Sequence, residues 1–143
     1  MNIDFAEVKI YLIILVIFLV IDIPMITMIN KDMYNNHFNK INNGDMVVGN
    51  KTYIGASITY LLLALGLYIF VIRDNTEKPL KYKMIKASVL GLIIYGVYNF
   101  TNLATINIYE IKPALIDTMW GSVASALIVY IYNHYFESVN KFI

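Results

Sequence analysis

Tyr95 to Gly121 reads Y-G-V-Y-N-F-T-N-L-A-T-I-N-I-Y-E-I-K-P-A-L-I-D-T-M-W-G, and the fold is decided by how this stretch is read. Asn99, Thr101, Asn102 and Thr105 lie inside one long apolar run, and Asp117 and Trp120 lie inside the next. Only a short polar link near Tyr109 to Lys112 separates the runs. Polar side chains at membrane depth are costly and face protein or a wet cavity. The two runs are therefore expected to be antiparallel membrane helices with these residues on their inner faces.

The rest of the chain supports this. Of its 143 residues, 59% are hydrophobic, and the mean hydropathy of +0.61 is that of a membrane protein. A first apolar run covers 10–29, broken only by Asp22, Pro24 and Thr27. About twenty residues cross the hydrocarbon core. It is expected to be a retained span, since Asp4 and Glu7 flank it and no A-x-A-like site follows. Further spans are expected over about 53–72, 87–108 and 113–135, with Pro113 opening the last. Between the first two, Met33, Tyr34, His37, Phe38 and Ile41 recur at helical spacing, which predicts a short amphipathic helix on the membrane surface. Asn42-Asn43-Gly44-Asp45 is a turn signal that ends it, and 138–143 reads as a short tail. The expected fold is all-α: one integral membrane domain over 1–143, a bundle of four transmembrane helices with an interfacial helix after the first.

Charge sets the expected orientation. Lys9, Arg73, Lys78, Lys81, Lys83, Lys86 and Lys141 fall on one side; Lys31, Lys40, Lys51 and Lys112 fall on the other. The richer side carries both termini, which the positive-inside rule makes cytoplasmic. Alternation of the spans then places Asp22, Ser57, Thr59, Tyr60, Asn99, Asn102, Asp117 and Trp120 in the same, non-cytoplasmic leaflet. At about 1.5 Å per residue, Asp22, Asn102 and Trp120 fall within roughly 10 Å of the bilayer centre. Asp117 is expected to approach Asn102 or Asn99 across the last hairpin, and Pro24 to kink the first span beside Asp22.

Two readings of this cluster compete. Asn, Ser and Thr in membrane helices commonly act as interhelical glue worth on the order of 1 kcal/mol each. Carboxyls differ: each costs about 2.5–3.5 kcal/mol at a helix centre, so two in one leaflet call for a purpose. Trp120 serves equally as packing or as a platform for a ligand.

Y-N-F-T-N-L-A-T followed by D-T-M-W-G, with Asp22 after an apolar run and Tyr34 soon after it, resembles family 2177 of the domains of unknown function, small predicted multi-pass membrane proteins. The similarity runs from about Phe18 to Tyr132. It departs where that family typically has Asp in place of Asn99 and an aromatic near Pro24. The resemblance implies a multi-pass fold and a shared polar motif, and no substrate.

Several functions are excluded or disfavoured. With no Cys there is no disulfide, thiolate metal site or cysteine nucleophile, and a net charge of +1 gives no field for nucleic acid. His37 and His134 fall on opposite sides, so neither a metal site nor a Ser/His/Asp grouping is expected, and no phosphate loop or cofactor motif appears. Asp22 and Asp117 lack the Tyr-Asp and Gly-x-Gly-Asp settings of intramembrane aspartyl proteases. The sequence thus leans against an enzyme. The expected function is binding or handling of a small amphiphile or lipid in an outward pocket by Asp22, Asn99, Thr101, Asn102, Thr105, Asp117 and Trp120. The alternatives are a proton- or cation-coupled transporter subunit, for which a homo-oligomer would supply more spans, and a structural membrane component.

Overall fold

Water is absent at membrane depth, so each span must satisfy its backbone polar groups internally, and an apolar chain without paired strands does so as helix. A computed structural model describes residues 4–44 and 48–136. The described residues form five α-helices: α1, Phe5–Pro24; α2, Lys31–Asn42; α3, Asn50–Leu67; α4, Leu80–Thr105; and α5, Ile111–Tyr135. With their flanking turns, four stretches are long and apolar enough to cross a membrane: Phe5–Ile29, Asn50–Asn75, Leu80–Thr105 and Ile111–Tyr135. Asp45, the tail over 138–143 and the charge of Lys141 lie outside the described residues.

The helices overrun the apolar stretches that mark them. α4 begins at Leu80, not Ala87, and stops at Thr105. Its 26 residues span about 39 Å, against roughly 30 Å of hydrocarbon, so its lysine-bearing first turns project beyond it. α1 likewise starts at Phe5, where the Glu7 carboxylate accepts the Asp4 backbone N–H at 3.3 Å. Pro113 is the third residue of α5 and does not open it; a first-turn proline still forfeits no intrahelical bond.

Pro24 acts as its chemistry requires. Lacking an N–H, it cannot bond the Val20 carbonyl. α1 ends there and the chain continues through a π-helical turn, Met25–Ile29, closed by the Asn30 N–H on the Met25 carbonyl at 2.9 Å. Thr27 Oγ1 donates to the Ile23 carbonyl at 2.7 Å within the same turn. The irregularity lies beyond Asp22, which keeps its place on the buried face with Ile14 and Phe18. α2 stops where Asn43 takes a left-handed φ of 54° and the Gly44 N–H reaches the Asn39 carbonyl at 3.0 Å.

α4 and α5 share the most extensive interface; α1 packs on α5 and α3. Glycines make the α4–α5 approach possible: a Cβ on Gly91 would overlap the Gly121 carbonyl, and one on Gly121 would overlap the Tyr95 ring. Ser88 and Ser122 hydroxyls hydrogen-bond across the same seam at 2.7 Å. The core joins Ile14 and Phe18 of α1, Leu63, Ala64 and Leu67 of α3, Ala87 of α4, and Ile128, Val129 and Tyr132 of α5. Large apolar side chains such as Val16, Leu62, Ile93 and Val123 point outward, as lipid-facing positions do.

α3 and α4 are not zipped along their length. α4 meets the second span chiefly at a second π-helical turn, Tyr68–Ile72. Asn75 ties that end by donating to the Phe70 and Val71 carbonyls at 2.9 and 3.1 Å, while Lys86 Nζ donates to Asn75 Oδ1 at 3.3 Å. Toward the other end residues of both helices line the site.

Candidate functional site

Helix direction brings the last turns of α1 and α4, the first half of α3 and the first turns of α5 to one end of the bundle, the end that α2 covers. Two carboxyls are held there, each by two uncharged donors. Asp22 Oδ1 accepts Trp120 Nε1 at 2.7 Å and Asp22 Oδ2 accepts the Tyr60 hydroxyl at 2.8 Å. Asp117 Oδ1 accepts the Tyr34 hydroxyl at 2.6 Å and Asp117 Oδ2 accepts Asn99 Nδ2 at 2.7 Å. α1 is thereby tied to α3 and α5, and α5 to α2 and α4.

Asn99 is only 2% exposed and is the pivot of this row. Its Nδ2 donates both to Asp117 and to the Tyr95 carbonyl, at 2.9 Å, while its Oδ1 accepts the Tyr109 hydroxyl at 2.8 Å. These partners fix the amide's orientation, because only the NH₂ end can serve a carbonyl and a carboxylate together. Burial, with the charge of neighbouring Tyr98 adding to it, pushes the Tyr109 hydroxyl up to about 12. Burial also raises Tyr34, and its hydrogen bond to Asp117 adds to the rise.

The α2 face expected to lie on a membrane surface is turned at least in part onto the bundle, with Tyr34 and His37 buried. His37 is 1% exposed and packs edge-on against Tyr109 with ring centroids 4.4 Å apart. Its Nδ1 stands 3.7 Å from Glu110 Oε2, beyond hydrogen-bond range. Lys40 Nζ donates to Glu110 Oε1 at 2.5 Å, and this bond holds the Glu110 carboxyl below its ordinary value.

A cavity of about 410 Å³ opens beside the carboxyls. Asp22, Asp117, Tyr34, Tyr60 and Tyr95 form its polar inner end; Ile26, Phe38, Leu63 and Ile94 form apolar walls; Ala56, Thr59 and Tyr98 complete the lining. Ala56, Thr59 and Ile94 are exposed, and Tyr98 is 54% exposed. The mouth therefore lies in the gap between α3 and α4, on the flank of the bundle. No lining residue is Lys, Arg or His. Among the described residues no group of three or more His, Cys, Asp or Glu comes together.

The expected residues separate into two sets. Asp22, Asn99, Asp117 and Trp120 belong to the hydrogen-bonded cluster, and the approach of Asp117 to Asn99 is present as expected. Asn102 is not among the four donors on the carboxyls and is half-buried beside the hydroxyls of Tyr98 and Tyr109. Thr101 and Thr105 are exposed, and Thr105 Oγ1 donates to the Thr101 carbonyl at 2.8 Å within its own helix. At about 100° per residue, positions two and six beyond Asn99 turn well away from it. The donors that sequence reasoning left out of the site are Tyr34, Tyr60 and Tyr109. For Tyr34 the signal was its helical spacing with His37; for Tyr60 it was an aromatic hydroxyl placed in the polar half of its span.

The chain matches the model of a family described as "Predicted membrane protein (DUF2177)" over residues 7–132. No curated protein and no solved structure matches it.

Proposed function

The chain belongs to the DUF2177 family of predicted membrane proteins, and from that premise we propose that it binds or handles a small amphiphile in the cavity between α1, α3 and α4. The observation that carries this reading is the flank opening: a space of about 410 Å³ with two carboxyls inside and exposed residues of α3 and α4 at its mouth. The volume is that of a small-molecule pocket. A mouth on the flank admits a molecule from lipid, its apolar walls suit a chain, and its inner end suits a polar head. Membrane lipid is then the source of the ligand.

We also propose that α2 lies at the membrane interface as a cover over the polar end, on the non-cytoplasmic side, with both termini cytoplasmic. Arg73 and Lys78 of the α3–α4 connector, with Lys81, Lys83 and Lys86 in the first turns of α4, support this orientation. The chain has no Cys, so single cysteines at exposed Glu77 and Asn36 report topology directly. An impermeant maleimide added outside cells should label Asn36→Cys and spare Glu77→Cys.

The row Tyr34–Asp117–Asn99–Tyr109 also resembles what a proton path needs, which keeps the transporter reading in view. Ile14, Ile17, Phe18, Ala64 and Leu67 fill the described interior nearer the opposite end, an apolar packing that favours the amphiphile reading. Native mass spectrometry of the detergent-purified protein tests it. Wild type should retain a small amphiphile that is lost when Ala56→Phe and Thr59→Phe block the mouth. Identical spectra for the two proteins would refute it.

A further inference from the structure

We infer that the head group this cavity selects is an ammonium, primary or quaternary, on an apolar tail; the inference rests on the amphiphile reading above and names its ligand class. The first observation is one of charge balance. Asp22 and Asp117 line the same cavity, and none of its other lining residues is cationic. The four donors that meet the carboxyl oxygens (Trp120 Nε1 and the Tyr60 hydroxyl on Asp22, the Tyr34 hydroxyl and Asn99 Nδ2 on Asp117) are all uncharged. They orient the carboxylates without neutralising them. A carboxylate oxygen has a second lone pair, so each keeps acceptor capacity for an ammonium N–H.

The second observation is independent of charge. Tyr34, Phe38, Tyr60, Tyr95 and Tyr98 contribute aromatic rings to the same lining. Aromatic faces attract cations through their quadrupole, and walls built of several such rings are a recurring means of recognising quaternary ammonium groups. An anionic head would instead meet two carboxylates with no cation to offset them, and an uncharged head would leave the pair unbalanced. The space of about 410 Å³ holds a head group and its first methylenes, while the rest of a tail leaves through the α3–α4 gap.

Trp120 is the chain's only tryptophan and donates directly to Asp22, so its emission reads the site. The test uses the full chain in dodecyl maltoside micelles, titrated separately with dodecyltrimethylammonium, dodecanoate, monolaurin and tail-less tetramethylammonium. A saturable emission change is expected with dodecyltrimethylammonium, at concentrations roughly tenfold or more below those needed for dodecanoate or monolaurin. In the Asp22→Asn/Asp117→Asn double variant that preference should disappear, with circular dichroism confirming its helices. The comparison of head groups on one tail is made on wild type, so it holds even if the variant does not fold. Equal response to dodecanoate or monolaurin would overturn the ammonium inference and leave the amphiphile reading intact. Tetramethylammonium binding as tightly as its tailed counterpart would uphold ammonium recognition and overturn the amphiphile reading. No saturable response to any probe would overturn both.

Discussion

Replacing Asn99 with leucine should cost about 1–2 kcal/mol, and the contacts of the amide show why. The side chain makes three hydrogen bonds, to Tyr95, Asp117 and Tyr109. The Tyr95 carbonyl loses little, because it still accepts the helical N–H of residue 99. The Tyr109 hydroxyl has Asn102 beside it as a replacement partner. Asp117 bears the loss: one of its two donors vanishes, and only Tyr34 remains. Hydrogen bonds to charged groups contribute about 1.5–3 kcal/mol in soluble proteins. Interhelical bonds in membranes average about 0.6 kcal/mol, with a ceiling near 1.7. The carboxylate acceptor places this bond toward that ceiling, and the added apolar contact of leucine returns part of the loss. The assay is reversible unfolding in mixed micelles of dodecyl maltoside and dodecyl sulfate, followed by far-ultraviolet circular dichroism. In a double-mutant cycle with Asp117→Leu, the coupling should be about 1 kcal/mol. Thr105→Val is the control and should stay within about 0.5 kcal/mol, since its hydroxyl bonds only its own helix. A coupling indistinguishable from zero, or an Asn99→Leu variant as stable as the threonine control, would refute the pivotal role assigned to this amide.

Gly91→Ala should destabilise by about 2–3 kcal/mol in thermal unfolding, because its Cβ would meet the backbone of Gly121, which cannot move aside as a side chain could. Gly66→Ala, with nothing within 4 Å of the added Cβ, should be neutral or stabilise by up to about 1 kcal/mol through helix propensity. The Glu110 carboxyl is held below its ordinary value of 4.5 by Lys40, so its contribution is present above that value and is lost as pH falls through the lowered one. Hydrogen exchange in α2 should therefore accelerate, relative to intrinsic rates, below pH 4.5, and Glu110→Gln should abolish that change. Tyr109 is raised from 10.0 to about 12; the stability this represents is complete below the lower value and lost on the way to the upper. An alkaline titration of unfolding should show a shallower decline over that range in Tyr109→Phe than in wild type.

Much of this architecture was legible in the chain, for identifiable reasons. Apolar runs with charged connectors mark four spans because hydrocarbon tolerates little else. The link between α4 and α5 is short enough to force them together, so the approach of Asp117 to Asn99 or Asn102 followed from link length, rise and helical phase. Helix ends were less legible: Phe5–Lys9 and Leu80–Lys86 are polar enough to look like loops, yet they continue helices beyond the apolar depth. The Trp120–Asp22 bond joins helices with no short link between them, so only the packing of α1 on α5 reveals it. The spacing of Tyr34 with His37 and the place of Tyr60 in the polar half of its span put both hydroxyls near the site, but their carboxyl partners, Asp117 and Asp22, lie on other helices far off in the chain. Thr101 and Thr105 share a polar run with Asn99 but not its phase, and each threonine within a helix has a carbonyl four residues back within reach of its hydroxyl.

The choice of donors around the two carboxyls restricts where an added proton can reside. Indole N–H and amide N–H groups donate and cannot accept, so Asp22 Oδ1, facing Trp120, and Asp117 Oδ2, facing Asn99, offer a proton no acceptor in those directions. Only Asp22 Oδ2 and Asp117 Oδ1 face hydroxyls, those of Tyr60 and Tyr34. A phenolic oxygen can reverse its role and accept. Seating a proton at either place would then turn one tyrosine around and release its own hydrogen toward the cavity. Each tyrosine would thus convert a proton added to its carboxyl into a change of hydrogen-bond polarity on the cavity wall.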